Sequence, residues 1–170
     1  MSLKDNKICL IIPPSPFLLD ERVIMHIGVL KVAASLEAKG YRLDCLDLAG
    51  VDDYYALLTK YLEENDTVVF GLTATTPQMP HAMKIAKHLK EKKPSIKIIL
   101  GGTHVSLMNS ARKKEEKKGT PGRATVDIEK LKSVFDTLVC GDGEHAIFEA
   151  LKFKDSIVDA DDKSSPLFLN

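Results

Sequence analysis

Four short stretches of the sequence combine glycine or proline with hydroxyl and titratable side chains, and each follows an apolar run. They are residues 13–22, 73–77, 101–104 and 141–145. Glycine lets a backbone approach a ligand closely, Thr and Ser hydroxyls donate and accept hydrogen bonds, and the amides that open a helix attract anionic or carbonyl groups. Turn formation explains any one of these stretches by itself. Four of them at one edge of a fold favour a ligand site.

The glycine-rich stretches do not fit the common nucleotide-binding patterns. Residues 141–146 satisfy G-x-G-x-x-A, but that fingerprint belongs after the first strand of a fold and this stretch follows the last predicted one. No G-x-x-x-x-G-K-[ST] occurs. Prolines and leucines stand where an FMN site would need a hydroxyl-rich loop. The acidic residues of a response-regulator receiver are also missing.

The histidines and cysteines form no familiar catalytic or metal-binding pattern. Cysteines 9, 45 and 140 are too far apart for a close-spaced cluster, and their odd number makes no disulfide framework. We expect Cys9 and Cys45 to be small hydrophobic residues of core strands. The five histidines include no H-E-x-x-H, and the two within residues 78–92 are expected to be structural or solvent-facing. The other three fall at the expected ligand edge: His26, His104 and His145.

The charge balance argues against a polyanionic partner. The chain has 170 residues with 24 Lys and Arg against 24 Asp and Glu, whereas nucleic acids and anionic membranes are held mainly by excess positive charge. Its longest apolar runs are too short to span a bilayer, and there is no signal-peptide pattern. We therefore expect a cytoplasmic protein with neither a nucleic-acid nor a membrane partner.

The order of apolar segments predicts an α/β fold in which helices cover both faces of a parallel sheet. Five runs of strand length occupy residues 7–12, 42–48, 67–72, 97–100 and 137–140. Helical periodicity falls on residues 27–39, 52–64, 78–92 and 143–152. Right-handed crossovers then give a flavodoxin-type three-layer sandwich with strand order 2-1-3-4-5. In such a sheet the carboxyl ends of the strands form the ligand crevice, where the four stretches would meet.

The domain boundaries follow from composition. Residues 4–153 form the predicted domain, and residues 109–134 form a basic insertion whose run 112–118 carries five positive and two negative charges. That run is expected to be a solvated helix end and mobile loop, and the alternative is contact with an anionic ligand or partner. The polar tail 154–170 resembles an interdomain linker.

Several motifs together resemble the N-terminal cobalamin-binding domain of class B radical S-adenosylmethionine (SAM) proteins, as in anaerobic magnesium-protoporphyrin monomethyl ester cyclases and cobalamin-dependent methyltransferases. The motifs are K-I-C-L-I-I-P-P at 7–14, H-I-G-V-L-K-V-A-A at 26–34, V-F-G-L-T-A-T at 69–75, L-G-G-T-H at 100–104 and V-C-G-D-G-E at 139–144. The resemblance implies a Rossmann-like domain with the corrin over the carboxyl edge of the sheet. The nucleotide tail of the cofactor would run between sheet and helices.

The resemblance also implies which residues contact cobalamin. They are Pro14, Ser15, His26, Thr73, Thr75, Thr76, Gly101, Gly102, Thr103, His104, Gly141, Asp142, Gly143 and Glu144. On this basis, replacing Gly102 with Val is expected to abolish ligand binding and leave the fold largely intact.

The chain departs from related proteins at two points. It lacks the Asp-x-His-x-x-Gly motif that supplies an axial histidine in cobalamin mutases, which leaves His26 or His104 as weak candidates. It also lacks Cys-x-x-x-Cys-x-x-Cys, so a 4Fe-4S cluster and S-adenosylmethionine would belong to a downstream radical SAM domain, and this chain would be a fragment. The alternatives are a degenerate docking or substrate-recognition domain without cobalamin, and a stand-alone small-molecule sensor.

Overall fold

In the computed structural model, which describes residues 7–23 and 25–168, six strands form one parallel sheet in the order β2-β1-β3-β4-β5-β6. The strands are β1 Lys7–Ile12, β2 Arg42–Asp47, β3 Val69–Thr73, β4 Lys97–Gly101, β5 Thr137–Cys140 and β6 Ile157–Asp159. The helices are α1 Ile27–Ala38, α2 Tyr54–Glu64, α3 Met79–Lys92, α4 Thr103–Lys117, α5 Arg123–Lys132 and α6 Gly143–Ala150. The predicted α/β class and the order of the first five strands are confirmed.

The strand count was wrong, because β6 pairs with β5 and extends the sheet by one strand. Val158 within β6 and Ala160 directly after it are both buried. Main-chain bonds hold the strand: the Leu138 amide donates to the Ser156 carbonyl at 2.9 Å and the Ala160 amide to the Cys140 carbonyl at 2.9 Å. A three-residue strand within a polar tail gives almost no apolar signal. The assignment of residues 154–170 to a linker stays a prediction, but residues 157–159 belong to the sheet.

Alternating strand residues separate two cores. On one face Cys9, Ile11 and Phe70 pack with α2, α3 and α5. On the other face Ile8, Leu10 and Ile99 pack with α1 and α6. Because successive side chains of a strand point to opposite faces, each apolar run supplies both cores at once. Continuous burial of β1 and β5 confirms that these strands are covered on both sides.

The β2 strand is the exception to two-sided burial. It lies at the edge of the sheet, and Arg42, Cys45 and Asp47 are exposed. The expectation that Cys45 is a core residue was therefore wrong, whereas Cys9 and Cys140 are buried. Three of the six residues in R-L-D-C-L-D are charged and none of the six is buried, which is typical of a strand at the edge of a sheet.

The two histidines of α3 connect it to α2. The Tyr54 hydroxyl lies 3.2 Å from His81 Nδ1, and the Thr59 hydroxyl lies 3.0 Å from His88 Nε2. Both are structural contacts on the face of the sheet opposite α1 and α6. In the part of the chain that the structure describes, no helix is long and apolar enough to cross a membrane.

The basic insertion is a helical hairpin formed by α4 and α5. Its charged run forms the end of α4, where Arg112 hydrogen-bonds Asn109 Oδ1 at 3.1 Å and Lys113 pairs with Asp159 at 2.7 Å. Helical periodicity in the second half of the insertion is evident in the sequence from Ile128 to Phe135, whereas α5 begins five residues earlier, at Arg123. Glu115 reaches across the turn and accepts hydrogen bonds from three backbone amides and the Thr125 hydroxyl, at 2.6 to 3.0 Å. A carboxylate of α4 thus caps the first turn of α5.

Glu115→Gln is expected to lower the melting temperature by a few degrees at pH 7, because an amide group cannot accept all four bonds. The Thr125 hydroxyl, aided by the three amides, holds the pKa of Glu115 at about 2, below its ordinary 4.5. The unfolded chain therefore takes up this proton first as the pH falls. Thermal melts should show the full difference between the two proteins above about pH 5. The difference should shrink as the pH falls toward 2.

The matched control is Glu116→Gln, which removes an exposed carboxylate paired with Arg112 on the same helix. Such surface pairs contribute little to stability. Equal effects of the two substitutions, or a constant difference down to pH 2, would contradict the capping role of Glu115.

Candidate ligand-binding site

A cavity of about 350 Å³ lies between the sheet and the helices α1 and α6. Its floor is formed by Leu10, Gly71, Ile99 and Val139, which come from four adjacent strands and share one face of the sheet. The cavity ends at the carboxyl edge, where Thr73, Gly101 and the 141–144 turn line it. The strand order therefore brings three of the four stretches singled out in the sequence to one opening.

Glycines create the space on the floor. A Cβ atom at Gly101 would meet nothing nearer than Val139, at 3.9 Å, so a side chain there would extend into the cavity. Gly71 is covered instead, since its Cβ atom would lie 2.8 Å from Leu10 Cδ2. A glycine inside a strand commonly marks such a close approach. The missing side chain at Gly101 leaves room under the helices, whereas Gly71 makes room for the Leu10 side chain.

Both helices also contribute walls and an ion pair. Ile27, Val32 and Ile147 are apolar wall residues. At the carboxyl-edge end, Lys31 Nζ of α1 lies 2.7 Å from Glu144 Oε1 of α6. The hydrogen bond between them raises the pKa of Lys31 and lowers that of Glu144.

The turns after β3 and β4 are tied together by main-chain bonds. The Ala74 amide donates to the Gly101 carbonyl at 3.1 Å, and the His104 amide donates to the Ala74 carbonyl at 3.2 Å. Gly102 lies between them with a φ of +100°, and a Cβ atom there would lie 2.6 Å from the Ala74 oxygen. Only glycine fits this position without moving the backbone. The expectation that Gly102→Val leaves the fold largely intact is therefore incompatible with the geometry.

The structure divides the candidate site residues into two groups. Seven of them line the cavity: Thr73, Gly101, Gly102, Gly141, Asp142, Gly143 and Glu144. The other seven lie outside its lining: Pro14, Ser15, His26, Thr75, Thr76, Thr103 and His104. His145, also expected at the ligand edge, is exposed in the first turn of α6.

Ser15 has a structural role. Its side chain is buried, and Gln78 Nε2 donates to its hydroxyl at 2.8 Å and to the Pro13 carbonyl at 3.1 Å. Gln78 Oε1 in turn accepts from the Thr75 amide and hydroxyl, both at 3.0 Å. This buried glutamine joins the first loop to the turn after β3. It was absent from the sequence-based candidates because nothing local distinguishes it.

The two candidate axial histidines lie away from the cavity floor. His104 Nδ1 is 3.1 Å from the Thr76 hydroxyl. Burial lowers the pKa of the His104 imidazole, and the negative charge of Asp127 offsets part of this effect. His26 immediately precedes α1 and makes no side-chain capping bond. Among residues 7–23 and 25–168, no group of three or more His, Cys, Asp or Glu side chains is placed to hold a metal ion.

Sequence reasoning missed the floor of the cavity and the residues that α1 and α6 contribute to its walls. The residues not anticipated include Leu10, Gly71, Ile99 and Val139 on the strands, and Gly28, Lys31, Val32 and Ile147 on the helices. Gly71 carried a usable signal, because it interrupts the apolar run V-F-G-L-T. The others have residue types common to any core strand or helix.

A parallel sheet with a partly apolar cavity under its carboxyl edge is typical of small-molecule-binding α/β domains. Residues 21–120, more than half of the chain, match the B12 binding domain family. The chain belongs to this family.

Two comparisons extend this assignment. The chain is 28% identical over 108 residues to the uncharacterized methyltransferase PH0819 of Pyrococcus horikoshii, a match that covers 62% of this chain and 23% of that protein. Its fold is similar to that of TsrM, a radical S-adenosylmethionine methyltransferase from Kitasatospora setae solved with tryptophan substrate and a SAM analogue, with a TM-score of 0.53 and 19% identity. That match covers 61% of this chain and 20% of TsrM. The chain thus spans about a quarter or less of either protein.

Proposed function

We propose that this chain binds cobalamin, with the nucleotide tail of the cofactor in the cavity and the corrin over the carboxyl edge of the sheet. The observation that carries the proposal is the cavity between the sheet, α1 and α6, in a chain of the B12 binding domain family. Its volume of about 350 Å³ lies within the usual range for small-molecule sites. The absence of a Gly101 side chain keeps its floor free.

The residues around the opening suit such a ligand. Thr73 offers a hydroxyl, and the 141–144 turn leads into the first amides of α6, which suit the amide groups and phosphate of the cofactor. Several large apolar side chains beside this edge are exposed and would lose water contact under a corrin ring. They are Phe17, Leu19, Val23, Met25, Ile27 and Leu30.

Bound cobalamin supplies a cobalt centre that carries a methyl group or single electrons. The residues of this chain would bind and orient the cobalamin, and none of them is assigned as a ligand to cobalt. A downstream radical SAM domain, with its 4Fe-4S cluster and S-adenosylmethionine, would carry out the chemistry. The support is the likeness to TsrM and the length of both related proteins. Reading the gene beyond the codon for residue 170 tests the proposed radical SAM domain, because a Cys-x-x-x-Cys-x-x-Cys motif is expected there.

Titration of the 170-residue chain with hydroxocobalamin and methylcobalamin tests the binding itself. We expect a saturable change in the visible spectrum at micromolar ligand, and comigration of colour and protein in gel filtration. No binding at several hundred micromolar would contradict the proposal and favour a degenerate docking domain. A dissociation constant of several hundred micromolar corresponds to a binding free energy of only about −5 kcal/mol, which is weak for a specific ligand.

A further inference from the structure

The charges at the cavity mouth are few and uneven. Among the described residues that line the cavity, Lys31 is the basic one, while Asp142 and Glu144 are acidic. The remaining lining consists of apolar residues, glycines and Thr73. An anion entering this mouth would therefore meet two carboxylates and a single ammonium group.

Lys31 is held in a way that leaves it available to a ligand. Its side chain is 59% exposed, whereas Glu144 is 21% exposed. An ammonium group has three donors, and the contact with Glu144 uses one donor of Lys31 Nζ. Because an exposed ion pair contributes little net stability, the lysine can exchange this partner for another anion at small cost. A phosphate at the mouth would offer such a partner.

We propose that Lys31 is the specificity-determining residue that makes this cavity accept the phosphodiester of a complete cobalamin. This inference rests on the proposed function, since it concerns which corrinoid the same cavity binds. Without Lys31 the mouth would present two carboxylates, and only the first amides of α6 would offset their repulsion of a phosphodiester. With Lys31 the phosphate gains a charge-assisted hydrogen bond. A corrinoid without the phosphate gains nothing from the lysine.

A purely structural role for the ion pair predicts a different outcome. Lys31 and Glu144 connect α1 to α6, and Gly143 packs against Val32 beside them, where a Cβ atom would lie 2.9 Å from Val32 Cγ2. If the pair only held the helices together, removing either partner would affect every corrinoid in the same direction. If Lys31 binds phosphate, Glu144 competes for it, and removing the two partners has opposite effects.

The experiment compares three ligands: cyanocobalamin, cobinamide, which lacks both the phosphate and the nucleoside, and cobinamide phosphate, which lacks only the nucleoside. Dissociation constants are measured by spectral titration of the 170-residue chain and four variants. The variants are Lys31→Met, Lys31→Arg, Glu144→Gln and the control Lys39→Met, which removes an exposed lysine at the end of α1, outside the cavity.

We expect Lys31→Met to weaken cyanocobalamin and cobinamide phosphate about tenfold or more, on the scale of one charge-assisted hydrogen bond, and to leave cobinamide unchanged. Lys31→Arg should restore most of the affinity. Glu144→Gln should tighten both phosphate-bearing ligands, and Lys39→Met should change nothing.

Three results would each overturn the assignment of Lys31. In Lys31→Met, affinity could fall equally for all three ligands or for none of them. Alternatively, Lys31→Met and Glu144→Gln could both weaken the phosphate-bearing ligands. Those results would not contradict the proposal that the chain binds cobalamin. Failure of the unsubstituted chain to bind any of the three ligands would overturn the proposed function and this inference together.

Discussion

Gly101→Leu is expected to weaken cobalamin binding at least about a hundredfold while the chain stays folded, a change of about 2.7 kcal/mol. The backbone of Gly101 is outside the left-handed region, and the nearest atom to a Cβ placed there is 3.9 Å away. A leucine side chain would therefore cause no strain at its base and would extend over the cavity floor. The leucine side chain would fill the space assigned to the nucleotide tail. A ligand forced into the same space would overpack it, and overpacking of protein cores costs about 1 to 3 kcal/mol.

Gly101→Ala provides the graded control. One methyl group should weaken cobalamin binding less than leucine does, and the melting temperature should stay the same or rise slightly, since alanine restricts the unfolded chain more than glycine does. Spectral titration and thermal melts on the same samples separate the two effects. Unchanged cobalamin affinity in Gly101→Leu would place the ligand outside this cavity.

Gly102→Ala is expected to destabilise the whole domain by about 2 kcal/mol or more, on the scale of a strained left-handed residue. Its φ of +100° is costly for any other residue, and the added Cβ atom would lie 2.6 Å from the oxygen and 2.7 Å from the nitrogen of Ala74. These are backbone atoms, so the joined turns after β3 and β4 would have to separate. Urea unfolding, followed by far-ultraviolet circular dichroism, measures the loss.

The comparison between the two neighbouring glycines makes this second prediction sharp. Both substitutions add one methyl group at the same turn, but only Gly102→Ala creates strain, so the midpoint of urea unfolding should fall for Gly102→Ala and not for Gly101→Ala. Equal midpoints for the two alanine variants would show that the turn relaxes at little cost. In that case Gly102 could be assigned to ligand contact rather than to folding.

The two glycines show how far the motif L-G-G-T-H could be interpreted from sequence. The motif marked the end of β4 and the edge of the site, and the structure places both glycines there. Nothing in the motif distinguishes the roles of the two glycines. Which of them leaves space and which avoids a clash depends on Val139 and Ala74, which come from other strands and turns.

Other parts of the site show the same division. Thr73 and the 141–144 turn were predicted because parallel strands place their carboxyl ends at one edge whatever the details of packing. Ser15 and His104 were predicted for the same reason, yet they contact Gln78 and Thr76 instead of lining the cavity. Proximity to an edge follows from topology, whereas the direction of a side chain follows from its neighbours.

The sequence by itself determined the class of fold and the order of its main elements. Apolar runs of strand length can be buried on both faces only between layers of helices, and right-handed crossovers then leave one strand order favoured. It also determined where glycine and hydroxyl groups converge. These properties are local in the chain or follow from its order.

Tertiary structure alone decided the cavity, its ion pair and the last strand. Lys31 meets Glu144 because α1 and α6 pack side by side on one face of the sheet, although 113 positions separate them. Ile157–Asp159 becomes a strand because β5 offers it free main-chain groups. The cavity stays open because Gly101 carries no side chain where α1 and α6 cover the sheet. Each depends on distances between segments remote in sequence, which the pattern of residues along the chain does not contain.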